Sequence, residues 1–174
     1  MIFPQDKVVS YTRDAYKFKY RIVGIALHNG RTLLHQLEGD TYWAFPGGNG
    51  EFFEESAETL RREMMEEINQ EVSVERLLYV IENFFELEGY HCHELGFYYL
   101  ISFPPDSPVV KHTQPFYGIE HFEFEEPKRL IFQWIPIEQL EGMEVYPTFL
   151  RTELRELPIH ALHIVVNEIT KSNL

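Results

Sequence analysis

The 174-residue sequence predicts a single mixed α/β domain in which strands and helices are interleaved. Three observations predict it. An Asn-Gly hairpin lies near the N-terminus, one amphipathic helical stretch lies in the middle, and several later segments are rich in β-branched and aromatic residues. At 44% hydrophobic and 15% aromatic, the chain has ample core material. A domain of this size buries roughly 70% of the surface its unfolded chain exposes.

Taken in order, Tyr20 to Gln36 reads as a β-hairpin. Ile22, Val23, Ile25, Ala26 and Leu27 lead into Asn29-Gly30, and Thr32, Leu33 and Leu34 lead out. Asn-Gly suits the positive φ angles of a tight I′ turn. Glu38-Gly39-Asp40 marks another turn. Tyr42-Trp43-Ala44-Phe45 is a short apolar segment stopped by Pro46-Gly47-Gly48. From Ser56 to Ile68, Ala57, Leu60, Met64 and Ile68 share one side at spacings of three and four, which predicts an amphipathic helix. Asn69 follows as a left-handed helix end. Val72 to Phe85 and His91 to Phe103 read as strands, with Gly89 in the turn between them. Residues 104–128 hold Pro104, Pro105, Pro108, Pro115 and Pro127 with no sustained period, and read as one long surface loop. Arg129 to Ile135 returns to strand character. Pro136 to Leu140 reads as a helical turn, Pro147 to Glu156 as a helix and His160 to Val166 as a last strand. No repeat, low-complexity tract or linker interrupts this, so residues 1–174 are expected to form one domain.

Charge narrows the partners. With 15 Lys+Arg against 28 Asp+Glu the net charge is −13, a field that repels a long nucleic acid. A small anionic substrate remains compatible if a divalent cation masks the local negative charge. Cys92 is the single cysteine, so no internal disulfide forms and a reducing cytoplasm is the expected compartment. Neither a signal-peptide pattern nor an apolar run of roughly 20 residues is visible, so no membrane association is expected.

The segment with chemistry runs from Gly47-Gly48-Asn49-Gly50-Glu51-Phe52-Phe53-Glu54 to Arg62-Glu63-Met64-Met65-Glu66-Glu67. On a helix Glu63, Glu66 and Glu67 crowd one face at i, i+3 and i+4. That arc is centred roughly 110° around the helix from the apolar stripe, so it flanks the core face like the edge of a cleft. Three adjacent carboxylates repel one another unless something neutralises them. Their hard oxygens suit Mg²⁺ or Mn²⁺ better than Zn²⁺.

This array resembles the Nudix box, G-x5-E-x7-R-E-U-x-E-E-x-G-U, with U a bulky aliphatic residue. Gly48 takes the first glycine, Glu54 the glutamate, Arg62-Glu63 the Arg-Glu pair, Met64 the U position and Glu66-Glu67 the final pair. Asn69 and Gln70 replace the last glycine and aliphatic residue. Phe53 stands where a glycine often precedes the glutamate, which predicts a differently shaped turn into the helix. The similarity extends to Trp43 through Gly48 and to Phe132 through Leu140, and covers roughly residues 18 to 142. It implies an α/β/α sandwich around a mixed sheet. It further implies a Mg²⁺-dependent (or Mn²⁺-dependent) pyrophosphohydrolase acting on a nucleoside diphosphate linked to another group, such as a nucleotide, a nucleotide sugar or ADP-ribose. By the resemblance, Glu63, Glu66 and Glu67 ligate the metal with help from the Gly48 carbonyl. Glu54 and Arg62 pair to fix the loop against the helix, and Glu67 or Glu66 is the first choice of general base. The alternative is a catalytically silent sensor of the same fold that binds nucleotide without turnover.

Weaker signals complete the reading. Glu94 is a candidate extra metal ligand, base or substrate contact, with Glu120, Glu123, Glu125 and Glu126 as rivals that read more simply as a solvated acidic loop. His91-Cys92-His93-Glu94 lacks the second cluster a structural zinc site requires. Phe116 and Tyr117 are the better base-stacking candidates, ahead of Tyr42, Phe84, Phe85, Tyr98 and Tyr99. Lys19, Arg21 and Arg31 lie in or near the first hairpin, where a phosphate could be steered, and read more simply as ordinary surface charge. Ala161 to Val166 is a candidate surface for a homodimer.

Overall fold

The computed structural model describes residues 7–121 and 126–169. Alternation along the second strand organises the molecule: Ile22 and Ala26 enter one core, while Val23 and Ile25 enter another on the opposite face. The strands are β1 (Ser10–Arg13), β2 (Tyr16–His28), β3 (Arg31–Leu37), β4 (Trp43–Ala44), β5 (Gly47–Asn49), β6 (Ser73–Leu87), β7 (Tyr90–Ser102), β8 (Phe116–Glu120), β9 (Lys128–Pro136), β10 (Val145–Tyr146) and β11 (Leu162–Asn167). Among the described residues, eleven strands join in one sheet whose main path runs β10-β4-β3-β2-β7-β6-β11. β1 and β5 add to β2, β9 adds to β3, and β8 adds to β9. The β2/β7, β6/β11 and β4/β10 pairs are parallel and the others antiparallel, so the sheet is mixed.

Helix α1 (Ser56–Ile68) covers one face, burying Leu60 and Met64 against Ile22, Leu33 and Phe132. The other face is covered by a 3₁₀ turn at Ile137–Gly142 and by α2 (Leu150–Glu153), whose Leu140, Leu150 and Leu154 pack on Val23, Ile25 and Tyr79. This is the expected α/β/α layering, with a thin second helical layer. No helix among the described residues is long and apolar enough to cross a membrane.

The local signals match the predicted turns. Asn29 and Gly30 have φ of 50° and 71°, the I′ hairpin. Asn69 sits at φ 52°, ψ 48°, and its N–H bonds back to the helix carbonyls, so it ends α1 as a glycine would. Two expectations are corrected and one strand is added. Residues 104–128 are not one irregular loop: Pro108–Lys111 forms a 3₁₀ turn, and Phe116–Glu120 forms β8 by pairing with β9. The prolines fall outside that strand. The expected helix over 147–156 shrinks to the single turn of α2, because the N–H groups of Leu150, Arg151 and Thr152 bond three residues back, a 3₁₀ pattern. β1, unforeseen, pairs with the start of β2 through a turn in which Asp14 takes φ 54°.

Candidate active site

The loop from β5 into α1 is held by one guanidinium. Arg62 donates from Nε to Glu54 Oε1 at 2.9 Å and from Nη2 to Glu54 Oε2 at 3.1 Å, a two-pronged ion pair. Its remaining bonds go to Asn49 O at 3.2 Å, Glu63 Oε1 at 2.8 Å and Glu66 Oε2 at 3.2 Å. Thr59 Oγ1 also donates to Glu54 Oε2 at 2.8 Å. These bonds, the Arg62 pair first, hold the Glu54 carboxyl below its ordinary value. Arg62 thus ties the strand, the loop and two turns of the helix together.

Gly48 meets the helix at close range. A Cβ there would lie 2.0 Å from the Glu63 carboxyl carbon, so only glycine lets that carboxylate rest against the strand. Gly118 of β8 plays the same part at the other end of α1, where a Cβ would lie 2.6 Å from the Glu67 carbonyl oxygen. The approach of β8 brings Glu120, partly buried, toward Glu67 and Glu66. Glu120 was expected as one of several solvated loop residues. Instead strand pairing fixes it at the site, while Glu126 is exposed and Glu123 and Glu125 lie outside the described residues.

Glu63, Glu66 and Glu67 differ sharply in surroundings. Glu66 is half exposed and Glu63 lies against Gly48 and Arg62. Glu67 is 5% exposed, and neither of its buried carboxylate oxygens has a hydrogen-bond partner. Burial first, and then the charges of Glu120 and Glu63, push its carboxyl well above the ordinary range, with Arg21 opposing. Burial also raises Glu63 against the pull of Arg62, and Glu120 against the pull of Arg21. A buried carboxylate without a partner is costly. It is the donor type a hard divalent cation satisfies. Among the described residues no three His, Cys, Asp or Glu side chains converge as a metal site, since Glu63 and Glu66 are turned to Arg62. The donor chemistry of Glu67, Glu63 and Glu120 fits such an ion.

Two further residues stand in the site, His35, which nothing in the sequence singled out, and Arg21, which read as surface charge. His35 of β3 is 5% exposed, and its Nδ1, also without a partner, lies 3.9 Å from Glu67 Oε2. Burial, then Arg21, lowers its pKa to about 3, so the ring is neutral. Arg21, expected as surface charge, is half-buried and donates from Nη2 to Gly47 O at 3.1 Å, pinning the turn that precedes Gly48. Its charge acts on Glu63, Glu67, Glu94 and Glu120 alike. Neither carries a motif: His35 offered no more than its place in the first hairpin, and Arg21 no more than its charge there.

The outlying candidates separate. Glu94 is 6% exposed and, by alternation with Tyr98, faces the core opposite α1. It is in register with Lys19 on β2 and Asn83 on β6, a polar row across three strands. Lys19 is therefore half-buried rather than surface charge, whereas Arg31 is exposed as expected. Burial raises the Glu94 carboxyl, opposed by Arg21 and Lys19. Phe116 stacks between His112 and Phe132 at centroid distances of 4.3 and 5.4 Å. Tyr117 alternates to the face away from Gly118 and Glu120, where Arg129 lies over its ring. Among the other aromatics, Tyr98 is core and Tyr99 bonds to Ser56 at the start of α1. His93 packs against Phe18 and Phe84, and His91 pairs with Glu86.

The NUDIX domain model matches residues 19–154. Among solved structures, a UDP-X diphosphatase is similar at a TM-score of 0.57 and 16% identity, covering 88% of this chain and 69% of that one. The mutator MutT protein from Bacillus halodurans gives 0.57 at 16% identity, covering 86% and 89%. A NUDIX hydrolase from Nitrosomonas europaea gives 0.52 at 15% identity, covering 86% and 79%. At these identities the likeness is one of fold. No curated protein matches the chain.

Proposed function

The chain belongs to the NUDIX family, hydrolases of phosphorus-containing acid anhydrides, and from that premise we propose that it is a Mg²⁺-dependent pyrophosphohydrolase that cleaves a nucleoside diphosphate linked to another moiety. The observation that carries this reading is Glu67, buried with both carboxylate oxygens unpartnered beside Glu63 and Glu120. Glu63, Glu66, Glu67 and the Gly48 carbonyl would hold the cation. When bound, a divalent cation supplies charge neutralisation for the phosphate oxygens and a more acidic water.

The chain's own residues do the rest. Arg62, clamped to Glu54, sets where the Glu63 and Glu66 carboxylates lie. Arg21 holds the Gly47 carbonyl and so the backbone leading to Gly48. A carboxylate oxygen of Glu67 or Glu66 takes the proton of the attacking water, and Glu120 joins them as the candidate acceptor from outside the helix. The row of Lys19, Glu94 and Asn83 offers hydrogen bonds to the part of the substrate beyond the phosphates. Phe116, on the β8 face shared with Gly118 and Glu120, is the stronger base-stacking candidate, since Tyr117 alternates to the opposite face under Arg129.

The test is phosphate release, after phosphatase coupling, from a panel of nucleoside triphosphates, nucleotide sugars, ADP-ribose and dinucleotide polyphosphates. Turnover of one class with Mg²⁺, absent in EDTA, should fall at least about 100-fold in Glu66→Gln, roughly 2.7 kcal/mol of barrier. No turnover across the panel, with nucleotide binding still detected by thermal shift, would replace this reading with the silent sensor.

A further inference from the structure

His35 and Glu67 come from elements far apart in the chain, yet their functional atoms face each other in the core under α1. His35 is in register with both Ala44 on β4 and Phe132 on β9, so three strands fix its position. Its ring leans on Phe132, with centroids 5.3 Å apart. Glu67 reaches the same spot from the last turn of α1. The Nδ1–Oε2 distance of 3.9 Å is too long for a hydrogen bond. Both groups are buried, and His35 Nδ1, Glu67 Oε1 and Glu67 Oε2 all lack partners. Three unsatisfied polar atoms of two types, gathered in one place, are what a fold keeps when something else completes them.

Two donors bound to one ion at about 2.1 Å each stand no more than about 4.2 Å apart. The His35–Glu67 distance lies inside that limit. A neutral imidazole carries a lone pair on one ring nitrogen, and Nδ1 is the nitrogen turned to Glu67. We propose that His35 Nδ1 is a nitrogen donor to the cation that Glu67 holds, making this a mixed nitrogen–oxygen centre that favours a transition-metal dication over Mg²⁺. The inference rests on the cation reading of the preceding section and changes its ligand set. Imidazole suits Fe²⁺, Ni²⁺, Cu²⁺ and Zn²⁺, whereas an all-oxygen set suits Mg²⁺ and Mn²⁺; Mn²⁺ serves below as the paramagnetic probe that still accepts a nitrogen donor.

The test uses Mn²⁺ as the probe and pulsed EPR as the readout, without substrate. Wild-type protein loaded with Mn²⁺ should show ¹⁴N modulation of the electron spin echo, replaced by a ¹⁵N pattern when the histidines alone are ¹⁵N-labelled. That measurement needs no variant, so it stands even if a change at His35 impairs folding. The modulation should vanish in His35→Gln and persist in His121→Gln, the control for the histidine next to Glu120. Mn²⁺ affinity should fall about 10-fold or more in His35→Gln, with Mg²⁺ affinity changing less. Bound Mn²⁺ without nitrogen modulation would overturn the His35 assignment and leave the hydrolase reading intact. Modulation lost in His121→Gln instead would overturn it equally. Failure of wild-type protein to bind Mn²⁺ at all would overturn both.

Discussion

Phe53 carries the clearest conformational strain in the loop that leads to α1. It takes φ 65°, a left-handed conformation that a bulky residue enters at a cost of roughly 1–2 kcal/mol. Its side chain is fully exposed, so no packing offsets that cost. A glycine at this position is common in the family, and its replacement suggested that the turn would be shaped differently. The turn instead keeps the glycine-like conformation, because the chain must still deliver Glu54 to Arg62 eight residues later. Phe53→Gly should therefore stabilise the protein by up to about 1 kcal/mol, the relief being partly offset by the greater freedom of glycine in the unfolded chain. Urea unfolding measures it. A loss of more than about 1 kcal/mol would mean that the exposed ring has a partner, and the strain argument would fail.

Between elements, the contact that shapes the site is α1 against β8. Gly118 lets the strand come within van der Waals range of the Glu67 carbonyl, Ile68 and Phe132. Gly118→Ala would put a methyl 2.6 Å from that carbonyl oxygen, a backbone atom that cannot swing aside. The expected cost is about 1–3 kcal/mol of stability. Because the strand must retreat with Glu120, turnover should fall more than that destabilisation alone explains. Wild-type turnover at a temperature where the variant is fully folded would refute the coupling. This contact also marks where the sequence stopped being legible. The hairpin at Asn29-Gly30, α1 and its Asn69 end, and the β6–β7 pair announce themselves through local turn chemistry and period. β8 is a strand only because β9 pairs with it, and its five residues sit between prolines that by themselves read as loop. α2 fails in the reverse sense: Leu150 and Leu154 have helical spacing, but they bury against the sheet from a single turn.

Across the whole molecule, the acidic excess is partly stored in the site, and that has a consequence for stability. The box positions were readable because their spacing is local, but the partners Arg21, His35 and Glu120 reach Glu67 only once β2, β3 and β8 are assembled. Glu63, Glu67, Glu94 and Glu120 are all raised from the ordinary 4.5, so the folded state holds protons that the unfolded chain releases. Their contribution is complete below about pH 4.5 and is lost as pH rises through the folded values. His35 acts the other way. Lowered from 6.5 to about 3, it contributes stability that is present above 6.5 and lost as pH falls toward 3. Above pH 6.5 the His35 contribution is complete, so any further change comes from the carboxylates, foremost Glu67, raised well above 4.5. In EDTA, Tm should therefore decline as pH rises above 6.5 through the Glu67 titration, by roughly 2–4 °C per kcal/mol lost. Glu67→Gln should flatten the decline, since the amide has no proton to lose. A divalent cation should do the same in the wild type by favouring the ionised carboxylate. A Tm that stays level or rises with pH in EDTA would show that Glu67 is ionised and paired without any cation. That outcome would remove the unpartnered carboxylate on which the cation reading stands.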